Sequence, residues 1–350
     1  MAHPSSLTDN YDALLSTTLR NYQKTLQDNI TTSNVFFYSI KKYGAWETIE
    51  SIGERMQMPL MYEIGEADSY SGYDLLTTTP MEGLTSAFYD WRQAAVPIAI
   101  SGIERKKNSG EARILDLLKI KNQQAEMGII EFVNKRLLIG AGNSSITTAY
   151  SSPANGSVFL DPLPLHVAYD PTTSVAVGNI NQATYSWWRN KTANSVSTTF
   201  AAFLTELRKL RLQTKHGPGG APNLHLVDDN VYALYEQALA SKHQNPSYER
   251  ADIPYENIAF YKQPVVSDEF VPNVQAGSET QSTTAGSWFM LNTKFWGFKV
   301  HAGTNFVYTP MLTPENQDAS TGHILFLGAT GCGNRRKQGI LGGVDTTLTS

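Results

Sequence analysis

The sequence has one cysteine, few charged residues and no long hydrophobic run. Because Cys332 is the only cysteine among 350 residues, neither an internal disulfide nor a cysteine-based metal site can form within one chain. No stretch of 18 or more apolar residues occurs, which argues against a transmembrane helix. The opening residues MAHPSSLTDN lack the basic and apolar regions of a secretory signal peptide. These absences predict a product of a reducing cytoplasm.

Charge is scarce and nearly balanced. Charged residues make up 17% of the chain, and 28 Lys and Arg are set against 32 Asp and Glu, for a net charge of −4. Without an excess of positive charge, no general attraction to nucleic acid or to an anionic membrane is predicted. A surface with so little charge suits a protein that is largely covered by other chains.

The familiar catalytic motifs are also missing. The sequence contains no phosphate-binding Gly-x-x-x-x-Gly-Lys-Ser/Thr loop, no His-Glu-x-x-His zinc motif and no Gly-x-Ser-x-Gly nucleophile elbow. Its seven histidines are scattered without the spacing of metal ligands. We therefore predict a protein that is not an enzyme and that has no catalytic, cofactor-binding or metal-binding residues.

One stretch does resemble a cofactor site. In HILFLGATGCGNRR, residues 323–336, an apolar strand leads into a glycine-rich turn, as in folds that bind a dinucleotide pyrophosphate. Such a site needs a following helix and a second strand, but only 17 residues follow Gly333. We interpret these glycines as part of a twisted or bulged strand. An enzyme with a nucleotide cofactor is the weaker alternative.

Hydrophobic periodicity predicts helices and strands in the first half of the chain. Residues 11–31 repeat apolar side chains at helical spacing, and a second, short helix is predicted to end at Gly44. Residues 46–64 and 86–100 are predicted to form one long β-hairpin with a wide polar tip. Because a two-stranded hairpin is marginally stable alone in water, it needs a partner surface. Residues 109–139 predict a helix about 45 Å long.

The second half mixes both element types. After a loop-rich region at 141–196, a helix is predicted from Ser197 and another after the capping pair Asp228 and Asp229. Residues 288–309 and 321–336 are predicted to be two long strands around the turn TPENQDAST. The cluster Trp187-Trp188-Arg189 fits buried packing better than docking. The fold class is therefore predicted to be α+β.

The layout and several long stretches resemble one family. The residues TTLRNYQKTLQDNI, YSGYDLLTTTPMEG, ISGIERKKNSGEARILDLL and LNTKFWGFKVHAGTNFVYTPMLTPENQDAS, followed by NRRKQGIL, are similar to those of tailed-bacteriophage major capsid proteins. Their fold is named for phage Hong Kong 97. The resemblance covers most of the chain but is weak over 141–196.

The resemblance implies a division of the chain into five parts. They are an N-terminal arm at 1–44, an extended loop at 45–103, a peripheral domain at 104–196 with a spine helix at 109–139, an axial domain at 197–287, and a strand pair at 288–350 that returns to the peripheral domain.

The resemblance also implies a function and partners. Copies of the chain would assemble as pentamers and hexamers into an icosahedral shell that encloses double-stranded DNA, inside the host bacterial cytoplasm. Expected partners are other copies of the chain, a scaffolding protein, a portal protein, non-specifically bound DNA and, as a further option, a decoration protein; no membrane is involved. An encapsulin, a cellular compartment shell with this fold, is the alternative.

Two sets of contact residues are predicted. The extended loop would contact a neighbouring subunit through Tyr70, Tyr73, Leu75 and Trp91, because aromatic side chains often dominate interfaces. The basic cluster Arg335, Arg336 and Lys337 is a candidate for facing DNA, although a salt-bridged strand end is the favoured interpretation of so short a run.

The sequence departs from some relatives in two ways. Those relatives join subunits covalently through a lysine on the extended loop and an asparagine of a neighbour, but no lysine occurs between Tyr43 and Glu104. No cross-link of that type is expected. Others carry a cleaved scaffolding segment before the arm, whereas the helical pattern here begins near Asn10. A separate scaffolding protein is therefore expected.

Overall fold

The computed structural model describes residues 34–51, 53–65, 67, 69–75, 82–107, 117–139, 160–194, 199–240, 258–272, 285–313 and 318–345. The helix predicted over residues 11–31 lies outside these ranges.

A short helix opens the described chain. Helix α1 (Val35–Lys42) buries Phe36, Phe37 and Ile40, and Gly44 turns the chain with φ +70° into strand β1 (Trp46–Ile49). A glycine suits this turn because positive φ carries no steric penalty without a Cβ. This confirms the predicted helix and its end.

Helix α1 is capped from elsewhere in the chain. Asn34 makes no side-chain cap, so the first N–H groups of the helix need other acceptors. Phe36 N donates to the Asp268 carboxylate at 3.2 Å, and Phe37 N donates to Asn134 Oδ1 at 3.2 Å. Asn134 in turn donates to Asp268, so one buried polar cluster joins three segments.

The predicted hairpin is present but shorter than expected. Strands β2 (Met56–Met61) and β3 (Leu84–Tyr89) pair antiparallel, with Met56 opposite Tyr89.

Both predicted strands are wrong as single pieces. The first, 46–64, is divided into β1 and β2, which lie in different sheets. The second is divided as well. It breaks after Tyr89, where Asp90 forms ion pairs with Arg55 and Arg92, and strand β4 (Arg92–Ser101) joins a different sheet.

Two helices follow β4. Helix α2 (Gly102–Lys107) is short, and helix α3 (Leu117–Ile139) is the described part of the predicted long helix, spanning about 35 Å. Ala125, Ile129, Val133 and Leu137 recur every four residues along α3 and are all buried. Residues 109–116 of the predicted helix lie outside the described ranges.

The remaining elements alternate between helix and strand. They are α4 (Leu163–His166), β5 (Ala176–Val177), β6 (Ile180–Asn181), β7 (Lys191–Asn194), α5 (Phe200–Lys215), β8 (Leu224–Val227), α6 (Asp229–Ala240), β9 (Ile258–Phe260), β10 (Gln263–Ser267), β11 (Ala285–Leu291), β12 (Trp296–Tyr308), β13 (Ala319–Cys332) and β14 (Gly339–Asp345). The Asp228 carboxylate accepts from Asn230 N at the start of α6, as predicted, whereas the residue that caps α5 is Thr199.

The strands form two main sheets. A four-stranded sheet has the order β1-β12-β13-β4, and a six-stranded sheet has the order β7-β14-β11-β8-β10-β9. The single strand predicted over 288–309 is wrong, because β11 and β12 are separated by a turn in which the Asn292 carbonyl accepts from Phe295 N and Trp296 N. Each half of that segment enters a different sheet, which ties the two sheets together. Pro97 lies on the edge strand β4, where its missing N–H costs no ladder bond.

Three apolar clusters hold these layers together. The largest packs α1 and α3 against the four-stranded sheet and one face of the six-stranded sheet, and the second packs α5 and α6 against the other face. All four residues of β8 are consequently buried, as is typical of a strand covered on both faces. The third cluster lies under the β2–β3 hairpin and includes Leu165, Val177 and Trp188.

Two glycine substitutions test this packing, because they should change the free energy of unfolding in opposite directions. In Gly342→Ala the new methyl group overlaps the ring of Tyr169, and we expect a loss of about 1–3 kcal/mol in the free energy of unfolding. In Gly128→Ala, on the exposed side of α3, the methyl group meets open space and a gain of up to about 1 kcal/mol is expected. Urea unfolding of both variants measures the difference, and equal stabilities would contradict the packing described.

Candidate inter-subunit surface

The β2–β3 hairpin is fixed at its base and projects a long connection, residues 62–83. At the base, Tyr89 is buried and its hydroxyl donates to the Cys332 carbonyl at 2.8 Å. Trp188 lies beneath and donates to the Val177 carbonyl at 2.9 Å. The hairpin base is therefore part of the folded body, while the described connection beyond it is exposed.

The tip of this connection, residues 63–75 and called the loop tip below, presents bare apolar side chains. Tyr73 and Leu75 are fully exposed, and Tyr70 is 66% exposed. Further exposed apolar residues at the hairpin end are Met61, Ile64 and Leu84. Because monomeric proteins rarely expose so many apolar side chains together, this surface is suited to a partner. Contact by Tyr70, Tyr73 and Leu75 with a neighbouring subunit stays a prediction.

Trp91 differs from the other three predicted contact residues. Its ring is half-buried against the third apolar cluster, and its Nε1 donates to the Gly53 carbonyl at 3.1 Å. This side chain therefore stabilises the base of the hairpin in its own chain. A role for Trp91 in contacts between subunits stays a prediction.

The assignment of Arg335 to a DNA-facing surface is wrong. Its side chain is 1% exposed, and Nε donates to the His166 carbonyl at 2.8 Å. Nη2 donates to Gln182 Oε1 at 2.8 Å, to Asn190 Oδ1 at 3.2 Å and to the Leu165 carbonyl at 3.4 Å. Burial lowers its pKa to about 10, so the guanidinium is still charged at neutral pH. The salt bridge favoured from the sequence is not formed by Arg335 either, because the acceptors of its hydrogen bonds are all neutral.

Lys337 is likewise buried and unable to reach DNA. Its ammonium donates to the carbonyls of Lys215, Gly217 and Gly220 at 3.2, 2.9 and 3.3 Å. It thereby holds the glycine-rich turn after α5. Within the basic cluster only Arg336 is exposed, and it has no ion-pair partner in the part of the chain that the structure describes.

Arg336 borders a groove that sequence reasoning missed. The groove has a volume of about 320 Å³, and Tyr62 and Trp187 stack in its wall with ring centroids 5.2 Å apart. Phe295 and Pro59 also line it. The adjacent tryptophans were the sequence feature that could have indicated this groove. Trp188 is buried, as predicted, whereas Trp187 lines the groove at the surface.

The glycine-rich strand is not a cofactor loop. Residues 328–331 lie within β13, where Gly328 pairs with Val300 on one side and Arg92 on the other. A side chain at Gly331 would overlap Met56, so this glycine lets the hairpin pack closely against β13. The interpretation of these glycines as strand residues is confirmed.

Several buried titratable groups lie close together under the hairpin base. The rings of Tyr89 and His166 have centroids 5.4 Å apart, and Arg335 donates to the His166 carbonyl at 2.8 Å. Burial lowers the pKa of His166 and of His225 to about 3, and it raises the pKa of the Cys332 thiol to about 12.

His301 is half-buried with its Nδ1 3.1 Å from Thr304 Oγ1, and His323 is exposed. Within the described ranges no three His, Cys, Asp or Glu residues are placed to hold a metal ion, and no helix is long and apolar enough to cross a bilayer.

Comparison with known proteins relates the chain to shell-forming subunits through its fold. No family model and no curated protein matches the sequence. The capsid subunit of cyanophage A-1(L) superposes with a TM-score of 0.65 at 13% identity, covering 93% of this chain and 97% of that one. The encapsulin of Synechococcus elongatus gives a TM-score of 0.62 at 9% identity, with 95% of both chains covered. The capsid of Myoviridae phage XM1 gives 0.56 at 9% identity, covering 93% and 97%.

The chain thus has the α+β fold of phage capsid and encapsulin subunits, over nearly its whole length. The predicted fold class is confirmed.

Proposed function

We propose that the chain is the major capsid protein of a tailed bacteriophage. The observation that carries the proposal is the near-complete mutual coverage with phage capsid subunits, two of which are named above. The exposed apolar loop tip supports it, because a subunit whose partner is another copy presents such a surface before assembly.

In this proposal copies of the chain assemble as pentamers and hexamers into an icosahedral shell around double-stranded DNA, in the cytoplasm of the host bacterium. Residues 45–103 serve as the extended loop, with α3 as the spine helix of a peripheral domain within 104–196. Residues 197–287 form the axial domain, and 288–350 return to the peripheral domain. Scaffolding and portal proteins take part in assembly, and a decoration protein is a further partner.

An encapsulin shell is the second candidate, because one of the matching structures is an encapsulin. The two candidates differ in their contents: a capsid encloses DNA, whereas an encapsulin encloses a cargo protein. Nuclease-resistant DNA in particles purified from infected cells would support the capsid, and a co-purifying cargo protein without DNA would support the encapsulin.

Electron microscopy tests the proposal of a shell directly. The purified chain is expressed with and without a candidate scaffolding protein. Closed shells, curved sheets or tubes are the expected products. A monodisperse monomer or dimer under both conditions would contradict the proposed function.

The missing lysines lead to a further prediction about such particles. We expect mature shells to dissolve into single subunits on a denaturing gel, because no lysine between Tyr43 and Glu104 is present to bond with a neighbouring asparagine. A ladder of covalent multimers that survives boiling in detergent would contradict this prediction.

A further inference from the structure

We propose that the aromatic groove beside Arg336 is the acceptor for the loop tip of a second copy of the chain. This inference rests on the proposed function for its partner, and it adds the surface that receives the loop and the chemistry that recognises it. Two features support it. Arg336 in the groove has no ion-pair partner among the described residues, and the loop tip is rich in carboxylates and exposes Tyr70, Tyr73 and Leu75.

The groove is held open by buried anchors. Arg335 and Lys337 on either side of Arg336 are both buried and hydrogen-bonded, so the short turn between them is fixed and Arg336 is directed outward. The stacked rings of Tyr62 and Trp187 line the same groove. Because the hydrogen bonds of Arg335 and Lys337 already hold the turn that carries Arg336, little backbone entropy of that turn is lost on docking.

A second groove of about 340 Å³ extends this surface. It shares Pro59, Phe295 and Gly333 with the first groove and carries Lys294 at its rim. Lys294 is exposed and, like Arg336, has no ion-pair partner within the described ranges.

The two grooves share a wall and combine aromatic with polar lining. Glu47 in the second groove is paired with Lys299 at 3.0 Å, so Arg336 and Lys294 are the lining cations without an ion-pair partner among the described residues. Such a surface suits an acidic segment that also carries aromatic side chains.

The loop tip has the complementary composition. Residues 63–75 contain four carboxylates and no lysine or arginine; the carboxylates are Glu63, Glu66, Asp68 and Asp74. Among them stand the exposed side chains of Tyr70, Tyr73 and Leu75. A buried aromatic side chain removes roughly 150–250 Å² of surface from water, so the tyrosines supply most of the binding energy. The carboxylates beside Arg336 and Lys294 set the register.

The occupant is a second copy because the tip leaves its own groove empty. Tyr73 and Leu75 are fully exposed in the isolated chain although the loop begins at Tyr62, in the wall of the groove. Copies that assemble side by side bring the tip of one chain to the groove of the next, and repetition around a closed ring then uses both surfaces of every subunit.

Charge exchange between tip and groove tests the proposal. Three variants are compared with the wild type: Arg336→Glu, the loop variant Glu63→Lys with Asp68→Lys, and the combination of all three substitutions. We expect each of the first two to raise the concentration needed for shell assembly about tenfold or more, since like charges then meet at every contact. The combination should assemble within about threefold of the wild-type concentration.

A matched control uses Lys209, an exposed lysine on α5. Lys209→Glu makes the same charge change, and adding it to the loop variant should restore nothing. Melting temperatures of all variants should stay close to wild type, because Arg336 and Glu63 are exposed. Assembly of Arg336→Glu at the wild-type concentration, or failure of the combined variant to recover, would overturn the proposal.

A binding measurement separates this inference from the proposed function. A fluorescently labelled peptide of residues 62–83 is titrated with unassembled subunits, and fluorescence anisotropy reports binding. We expect binding that Arg336→Glu weakens about tenfold and that high salt also weakens. If wild-type chains form no shell but bind the peptide in this manner, the shell function fails and the acceptor is upheld. If shells form and the peptide does not bind, the acceptor is overturned.

Discussion

Arg335→Met should lower the free energy of unfolding by about 2–5 kcal/mol. The guanidinium donates to three neighbouring segments, at His166, Gln182 and Asn190. Methionine fills much of the same volume but removes this donor from the His166 carbonyl and from Gln182 Oε1, at about 1–3 kcal/mol for each unsatisfied group. Asn190 Oδ1 still accepts from Ala168 N at 3.1 Å. Removal of a buried charge offsets part of this loss, because the arginine no longer has to be desolvated.

The neighbouring residue supplies the control for this substitution. Arg336→Met changes the same residue type one position along, but the side chain is exposed, so we expect a change within about 0.5 kcal/mol. Denaturant unfolding of unassembled subunits gives both values. Hydrogen exchange should accelerate over residues 160–194 in Arg335→Met, because that segment loses its shared donor. Equal stabilities of the two variants would show that the buried hydrogen bonds contribute nothing.

The second large effect is a loss of subunit stability in acid, caused by two buried histidines. Burial, and then the charge of Arg335, lower the pKa of His166 to about 3; burial, and then Arg211, do the same for His225. Their unfolded pKa is about 6.5. Because the unfolded chain binds more protons below that value, the stability from neutral histidine is complete above pH 6.5. It is lost as the pH falls toward 3.

Two buried carboxyl groups act in the opposite sense. Burial raises the pKa of Asp161 to about 6 and also raises the pKa of Asp268, so the folded chain binds these protons more readily than the unfolded chain. As the pH falls from 6.5 toward 3, each histidine lowers the free energy of unfolding by about 1.4 kcal/mol per pH unit. Between pH 6 and its ordinary pKa near 4, Asp161 raises that free energy by about the same amount per unit. We therefore expect a shallow loss of stability down to about pH 4 and a steep loss below it.

Replacement of one histidine isolates its share of this pH dependence. In His225→Gln the amide oxygen can still accept from Trp288 Nε1, which donates to His225 Nδ1 at 3.2 Å in the native chain. We expect the loss of stability between pH 7 and pH 3.5 to shrink by about 3–4 kcal/mol relative to the wild type. His323→Gln removes an exposed histidine and should leave the pH dependence unchanged. Identical curves for wild type and His225→Gln would contradict a buried neutral histidine.

Local sequence patterns determined the individual elements correctly where one face of the element is buried. Alternating side chains predicted β2, and helical spacing predicted α1 and α3, because burial of one face imposes period 2 on a strand and period 3.6 on a helix. The length of chain after Gly333 was enough to exclude a dinucleotide-binding loop. The aromatic residues of the loop tip were also identified from sequence, and the structure places them in the open.

Only the tertiary structure decided what the basic cluster does. Arg335 and Lys337 read as surface charges, yet their acceptors lie more than 100 residues away in sequence, beyond any local pattern. The same limit applies to the division of 288–309, where the turn at Asn292 sends each half into a different sheet. Sequence determined the local elements because hydrophobic period is a local property. Charge burial and sheet membership depend on which distant segments supply the carbonyl groups and strand edges, and the folded chain alone brings those together.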